Sequence, residues 1–275
     1  MKQVLSKKQI QRFQKKVYDH YHKNRRDFPW RKGITPYKIV VSEIMLQQTQ
    51  APRVVEKFKF FIKTFPNFES LARAPFKDIL KVWQGLGYNR RALGLKKLAE
   101  IIVTEYKGKL PKTPEELVGL PWIGLHTAGS IAAYAYNYPS IFIETNIRSV
   151  FIHEFFGDQS EVTDKQLLPY IEAALDKKHS REWYNALMDY GAMLKETNPN
   201  PSRRSKHYTK QSTFEGSNRK LRGMVLKLLN TKNFSEQYII DHCIENFPKE
   251  KIIRALAQLQ TEGLIARHGN TYLIP

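Results

Sequence analysis

The 275-residue chain carries 45 Lys+Arg against 26 Asp+Glu, a formal net charge of +19, with a sequence pI near 9.8. Such a basic excess points to a polyanionic partner, nucleic acid first and an acidic membrane surface second. There is no run of roughly eighteen apolar residues to form a spanning helix, and the single cysteine, Cys243, excludes an intramolecular disulfide or a cysteine-built cluster. The N-terminal residues from Met1 to Lys8 lack an apolar signal core, so a cytoplasmic protein is expected.

Helical periodicity dominates the first two hundred or so positions. It predicts helices near 7–25, 36–49, 51–64, 68–73, 75–84, 87–106, 114–119, 125–137, 143–156, 164–175 and 180–194. Proline and glycine punctuate them, as in Thr64-Phe65-Pro66 and in the stretch from Gly108 to Pro114. Thr113 is placed to cap the helix that follows, with Pro114 at its first position and Glu116 closing a capping box. No strand-rich stretch occurs here, so the core is expected to be all-α.

From Asn198 the character changes. The stretch 198–219 is polar, proline-interrupted and basic, and reads as a linker. Beyond it, 220–230, 235–246 and 248–262 suit short amphipathic helices, followed by a hairpin turning at His268-Gly269-Asn270. The expected division is a core over 1–197, a linker over 198–219 and a winged-helix-like module over 220–275. A purely structural cap fits the last pattern equally well.

Four segments carry candidate chemistry. In Ser42-Glu43-Ile44-Met45-Leu46-Gln47-Gln48-Thr49-Gln50, one carboxylate sits in an apolar helical stretch and two amides follow it. A buried carboxyl holds its proton to higher pH because desolvation disfavours the anion, which suits a general acid; a solvated glutamate is the plain alternative. The turn Leu120-Pro121-Trp122-Ile123-Gly124, leading into Leu125-His126-Thr127-Ala128, exposes backbone N–H groups at a helix start that can grip a phosphate, although most such turns only join helices. Then Glu144, followed by Thr145-Asn146, brings a second carboxylate to another helix start, where it is either functional or simply a favourable charge. Two carboxylates in different surroundings suit one acid and one ionised partner at a glycosidic bond. In Trp83-Gln84-Gly85-Leu86-Gly87-Tyr88-Asn89-Arg90-Arg91, the glycines allow close backbone approach, Tyr88 or Asn89 can wedge into a base stack, and Arg90 and Arg91 can meet phosphates. A charged helix–helix turn is the alternative.

These segments, together with Phe28-Pro29-Trp30-Arg31, Thr35-Pro36-Tyr37 and Met188-Asp189-Tyr190-Gly191-Ala192-Met193, occur in the order seen in the helix-hairpin-helix DNA glycosylases. The chain resembles that superfamily over about residues 8–195, and the Leu-Gln-Gln-Thr-Gln run resembles its MutY-type adenine glycosylase branch. The resemblance implies a two-lobed all-α fold that binds double-stranded DNA across its cleft and flips out a mismatched or damaged nucleotide. By position, Glu43 matches the glutamate that protonates the departing purine at N7. Glu144 stands where the family has an aspartate that steadies the cationic sugar, and Asn146 matches an asparagine supporting it. Arg31 matches a polar residue beside the base pocket. Gln47, Gln48, Tyr88, Asn89, Arg90, Trp122, Gly124 and Thr127 fall in DNA-facing segments. Bifunctional members carry a Schiff-base lysine at the place of His126, so the resemblance implies a monofunctional enzyme that leaves an abasic site; nothing in the sequence suggests more than a monomer.

The chain also departs from the pattern. Glutamate at 144 adds a methylene, shifting the carboxylate by about one C–C bond where a ~1 Å error can cost on the order of a hundredfold. Trp122 replaces a hairpin glycine and is expected to pack against the core. Where relatives hold an iron–sulfur cluster by cysteines, this chain offers Lys195, Ser202 and Ser205, so no cofactor is expected; the basic run Arg203 to Lys210 either takes over DNA contact or is a solvated linker. The C-terminal module does not resemble the domain that reads 8-oxoguanine. Besides adenine excision opposite guanine or 8-oxoguanine, two readings stay open: thymine or uracil excision opposite guanine, and a catalytically weak damage-binding protein.

Overall fold

Side-chain caps set many of the helix starts. Ser6 and Gln9 form a capping box for α1 (Lys7–Asn24), and Thr113 with Glu116 forms the expected one for α7 (Pro114–Val118). Thr163 with Gln166 does the same for α10 (Asp164–Ala174). Each box satisfies backbone N–H groups that the first turn leaves without intrahelical partners. The computed structural model describes residues 4–211 and 213–275; the first three positions of the predicted core, and Ser212 in the predicted linker, lie outside the described residues.

The remaining helices are α2 (Pro36–Leu46), α3 (Ala51–Thr64), α4 (Phe68–Arg73), α5 (Phe76–Trp83), α6 (Arg90–Thr104), α8 (Leu125–Tyr136), α9 (Thr145–Phe155), α11 (Ser180–Thr197), α12 (Asn218–Leu229), α13 (Glu236–Cys243) and α14 (Lys249–Thr261). The fold is all-α apart from one small sheet. Two boundaries differ from the sequence reading for the same reason. α2 stops at Leu46 because Gln48 takes a left-handed φ of 54°, and α6 starts only at Arg90 because Gly87 and Tyr88 take φ of 72° and 45°. Among the described residues, no helix is long and apolar enough to cross a membrane.

The chain forms two compact units. The first comprises Met1–Ile39 and Pro111–Lys210. Its centre is α8, whose residues Ala128, Gly129, Ser130, Ile131, Ala132 and Ala133 are all buried. Small side chains let neighbours close on it: a Cβ on Gly129 would lie 3.0 Å from Phe142 Cβ. The first part of the predicted linker belongs to this unit rather than to solvent. A short 3-10 turn over Pro201–Arg204 packs on α9 and buries Pro201 and Ser202. Ser205 is buried too, in a parallel bridge to Val162.

The second unit comprises Val40–Leu110 and Gln211–Pro275. Phe58, Phe61, Leu71, Ile79, Trp83, Leu95 and Leu98 form its larger core. The C-terminal module adds α12 to α14 and an antiparallel sheet ordered β1-β3-β2, from β1 (Phe234–Ser235), β2 (Ala266–His268) and β3 (Thr271–Leu273). The expected hairpin is present, and β1 extends it into the wing topology by pairing Phe234 with Tyr272. This module groups with Val40–Leu110. Glu262 receives the Arg222 guanidinium and lies 3.7 Å from Arg90 Nε, and Lys77 Nζ reaches the Thr231 carbonyl at 3.5 Å.

Candidate active site

In the first unit, the segment entering Glu144 is fixed residue by residue. Ser140 Oγ donates to the Gly129 carbonyl at 2.6 Å, and Tyr184 Oη donates to the Ser140 carbonyl at 2.7 Å. The Phe142 and Tyr184 rings pack with centroids 4.1 Å apart. Ile143 N donates to His126 Nδ1 at 3.2 Å. That bond makes Nδ1 an acceptor, so a neutral His126 carries its proton on Nε2. His126 therefore supports the backbone immediately before Glu144.

Glu144 occupies the N-cap of α9 without capping it through its side chain. It keeps some accessible surface, yet dense surrounding protein pushes its carboxyl up to about 7, against the pull of the Lys195 ammonium. Burial favours the neutral acid, so near neutral pH this group is divided between its two forms, whereas the sequence reading took it as ionised. Lys195 Nζ donates to Asn146 Oδ1 at 2.7 Å. Burial draws Lys195 down to about 8, helped by the nearby charges of Arg148 and Arg26. Asn146 itself sits where α9 meets α11 at Gly191, at which a Cβ would fall 2.5 Å from the Asn146 carbonyl oxygen. Sequence reasoning met Lys195 only as a residue in place of a cluster cysteine and missed it as the partner of Asn146.

Arg31 does not present its guanidinium fork openly. Its two terminal nitrogens donate to Asp189 at 2.8 and 2.9 Å, and Arg26 Nε donates to the same carboxylate at 2.6 Å. The two arginines hold Asp189 below the usual carboxylate range against its burial. Of the Arg31 nitrogens, Nε is buried without a hydrogen-bond partner among the described residues, which leaves it as the donor of that side chain for a ligand. Both guanidiniums lie over the Phe28 ring, which stacks on Trp30.

The hairpin turn presents itself to solvent. Trp122 takes φ 68° and is 41% exposed, so it does not pack into the core as expected. A left-handed φ suits glycine and is strained for tryptophan. Gly124 caps α8 without a side chain, and a Cβ there would meet nothing within 4 Å. Thr127 is half-buried in the first turn of α8.

In the second unit, Glu43 is half-buried on α2 beside the buried Ser42, Ile44 and Met45. Arg91 organises the loops on either side. Its Nη1 donates to the carbonyls of Ile44, Met45 and Gln47 at 2.9, 2.8 and 2.6 Å. Its Nη2 donates to Thr49 Oγ1 at 3.0 Å and to the Gly87 carbonyl at 3.1 Å. Arg91 is thus a buried structural tie and cannot meet a phosphate, contrary to the sequence reading. The tie holds Gln47 half-buried, Gln48 exposed, and Tyr88 and Asn89 half-buried at the entry to α6, with Arg90 exposed beside them.

Lys195, Ser202 and Ser205 stand where the resemblance implied cluster cysteines. Ser202 Oγ donates to Asn200 Oδ1 at 2.8 Å, and Ser205 Oγ accepts from His207 N at 3.1 Å. An ammonium and two hydroxyls do not fit an iron–sulfur cluster, which requires thiolates or, in some cases, imidazoles. The single thiol, Cys243, is buried in the C-terminal module.

Residues 41–172 match the family model of the HhH-GPD superfamily base excision DNA repair proteins. An adenine DNA glycosylase of Mycobacterium tuberculosis is 31% identical over 248 residues, covering 78% of this chain and 77% of that protein. The chain belongs to the HhH-GPD superfamily. An adenine DNA glycosylase of Buchnera aphidicola is 36% identical over 176 residues, covering 64% of this chain and 50% of its own length. The chain thus spans about half the length of the Buchnera relatives it matches. Among solved structures, a thermostable thymine-DNA glycosylase aligns with a TM-score of 0.63 and 26% identity, covering 72% of this chain and 91% of that one. Glu43, Glu144 and the Trp122 turn between α7 and α8 all fall within the matched span.

Proposed function

We propose that this chain is a monofunctional DNA glycosylase of base excision repair, acting as a monomer on double-stranded DNA and excising a flipped, mispaired adenine. The supporting observation is the match to an adenine glycosylase along most of that relative's length. The basic balance of +19 suits a duplex partner.

Glu43 acts as the acid, delivering a proton to N7 of the purine as the C1′–N9 bond breaks and its electron pair leaves with the base. Ionised Glu144 steadies the resulting oxocarbenium-like sugar. Water then adds at C1′ and loses its proton to solvent, from which Glu43 is reprotonated, leaving an abasic site and free base. Asn146 and Lys195 orient and charge-balance Glu144, and Arg31 Nε donates toward the base. No iron–sulfur cluster takes part in holding the fold.

A panel of duplexes carrying A·G, A·8-oxoguanine, T·G or U·G, incubated with the protein and then cleaved with alkali, tests this reading. Strand breakage at the adenine duplexes only is the expected result. Breakage without alkali, or trapping of a protein–DNA adduct by borohydride, would defeat the monofunctional assignment. Excision from T·G or U·G instead would favour a second reading, a thymine or uracil glycosylase, which the likeness to the thymine-DNA glycosylase structure supports.

A further inference from the structure

Tyr88 is held at both ends, and its outer end is held by the C-terminal module. Its backbone takes a left-handed φ of 45°, a conformation that a bulky residue keeps only when its surroundings enforce it. Arg91 enforces it from the root, through the Gly87 carbonyl. At the tip, the phenol oxygen accepts a 2.9 Å hydrogen bond from Arg219 Nη1 and another from Gln211 Nε2. Two guanidiniums approach the ring, Arg91 and Arg219 each lying 5.4 Å from its centroid. Arg219 stands in the first turn of α12, and the Glu262 interactions with Arg222 and Arg90 brace the same module against the start of α6.

We propose that Arg219, with Gln211, is a positioning residue for Tyr88, so that the C-terminal module is a working part of mismatch reading rather than a cap. The proposal rests on the glycosylase reading above and takes Tyr88 as the side chain that wedges into the base stack. An aromatic wedge inserts efficiently only if its direction is fixed before it meets DNA, since ordering it on binding opposes binding. Arg91 fixes where the side chain starts; the bonds to the hydroxyl fix where it points. The two guanidiniums also keep positive charge beside the wedge, where a phosphate backbone would pass.

The test uses the full chain and a duplex with one A·G mismatch and 2-aminopurine next to it, whose fluorescence rises on unstacking. Wild-type protein is measured first: excision together with a fluorescence rise upholds the glycosylase reading, and the absence of both overturns that reading and this inference with it. Arg219→Ala is then expected to cut the preference for mismatched over matched duplex at least fivefold and to lower the fluorescence rise. Tyr88→Phe, which removes only the hydroxyl, should do the same, and the double variant should lose little more than either alone. Should Arg219→Ala fail to fold, Tyr88→Phe and Gln211→Ala probe the same hydroxyl. With wild type active, a preference kept within twofold by folded Arg219→Ala, or by Tyr88→Phe and Gln211→Ala if it does not fold, overturns the proposal. So do losses in Arg219→Ala and Tyr88→Phe that simply multiply.

Discussion

Lys195 Nζ donates a 2.7 Å hydrogen bond to Asn146 Oδ1, and its charge opposes the burial that raises Glu144 to about 7. If Glu144 works as an anion, excision should rise with pH through about 7 as its carboxyl ionises. Lys195→Met removes the opposing cation and should move that rise to higher pH; Lys195→Arg, which keeps the charge, should move it far less. Single-turnover excision measured from pH 5.5 to 9 checks this, and an unmoved profile in Lys195→Met would show that Lys195 only fills space.

The same shift has a consequence for stability. The folded carboxyl of Glu144 titrates at about 7, above its ordinary value of 4.5. Below both values the folded and unfolded chains are equally protonated, and the shift costs nothing. Between them the unfolded chain ionises while the folded one does not, so stability falls as pH rises, levelling off above about 7. Glu144→Gln, which cannot ionise, should therefore match wild type near pH 4 and exceed it at pH 8 by on the order of 2–3 kcal/mol at most. Urea denaturation at the two pH values reads the difference. Equal stability gains at both would place the cause in packing rather than charge.

Much of this architecture is written locally in the chain. Thr113, Pro114 and Glu116 announce α7 without help from anything distant, because a capping box is a contact within one turn. The ends of α2 and α6 are not announced in that way. Gln48 and Tyr88 are ordinary residues in a left-handed conformation, stabilised by neighbouring carbonyls that Arg91 ties together, Gln47 from 44 positions away and Gly87 from four. β1 is only two residues long and exists because β3 pairs with it. The stretch from Pro201 to Ser205 looks like a linker by composition, yet its prolyl and seryl side chains find burial against α9. Glu43, Glu144 and Tyr88 were legible as candidates from residue type and order, whereas the Lys195–Asn146 pair depends on α11 meeting α9, and the Arg26–Asp189–Arg31 cluster on the segment after α1 meeting α11.

Gly191 is the point where α11 admits the start of α9. A Cβ there would lie 2.5 Å from the Asn146 carbonyl oxygen and 2.9 Å from Asn146 Cβ. Backbone at that distance cannot turn aside as a flexible side chain can, so Gly191→Ala must push α9 away. The expected cost is about 1–3 kcal/mol of overpacking. Because the displaced residues include Glu144 and Asn146, activity should fall by on the order of a hundredfold. A variant that loses stability but keeps its excision rate would mean that α9 moves without carrying the carboxylate.

Arg91 ties the loops after α2 and before α6 together, and its removal should show in two ways. Arg91→Met keeps much of the side-chain volume but leaves the carbonyls of Ile44, Met45, Gln47 and Gly87 without the donor that now reaches them. Each buried polar group left unmatched costs about 1–3 kcal/mol, less where water can enter, so a loss of at least about 3 kcal/mol is expected. Arg91→Lys should recover only part of this, since an ammonium cannot span both loops as the planar fork does. In variants that still fold, Gln48 and Tyr88 lose the bonds that hold their left-handed backbones, so hydrogen exchange should speed up in 46–50 and 84–89 while α12 to α14 keep their protection. Uniform loss of protection throughout the unit would instead mean that Arg91 supports the whole core.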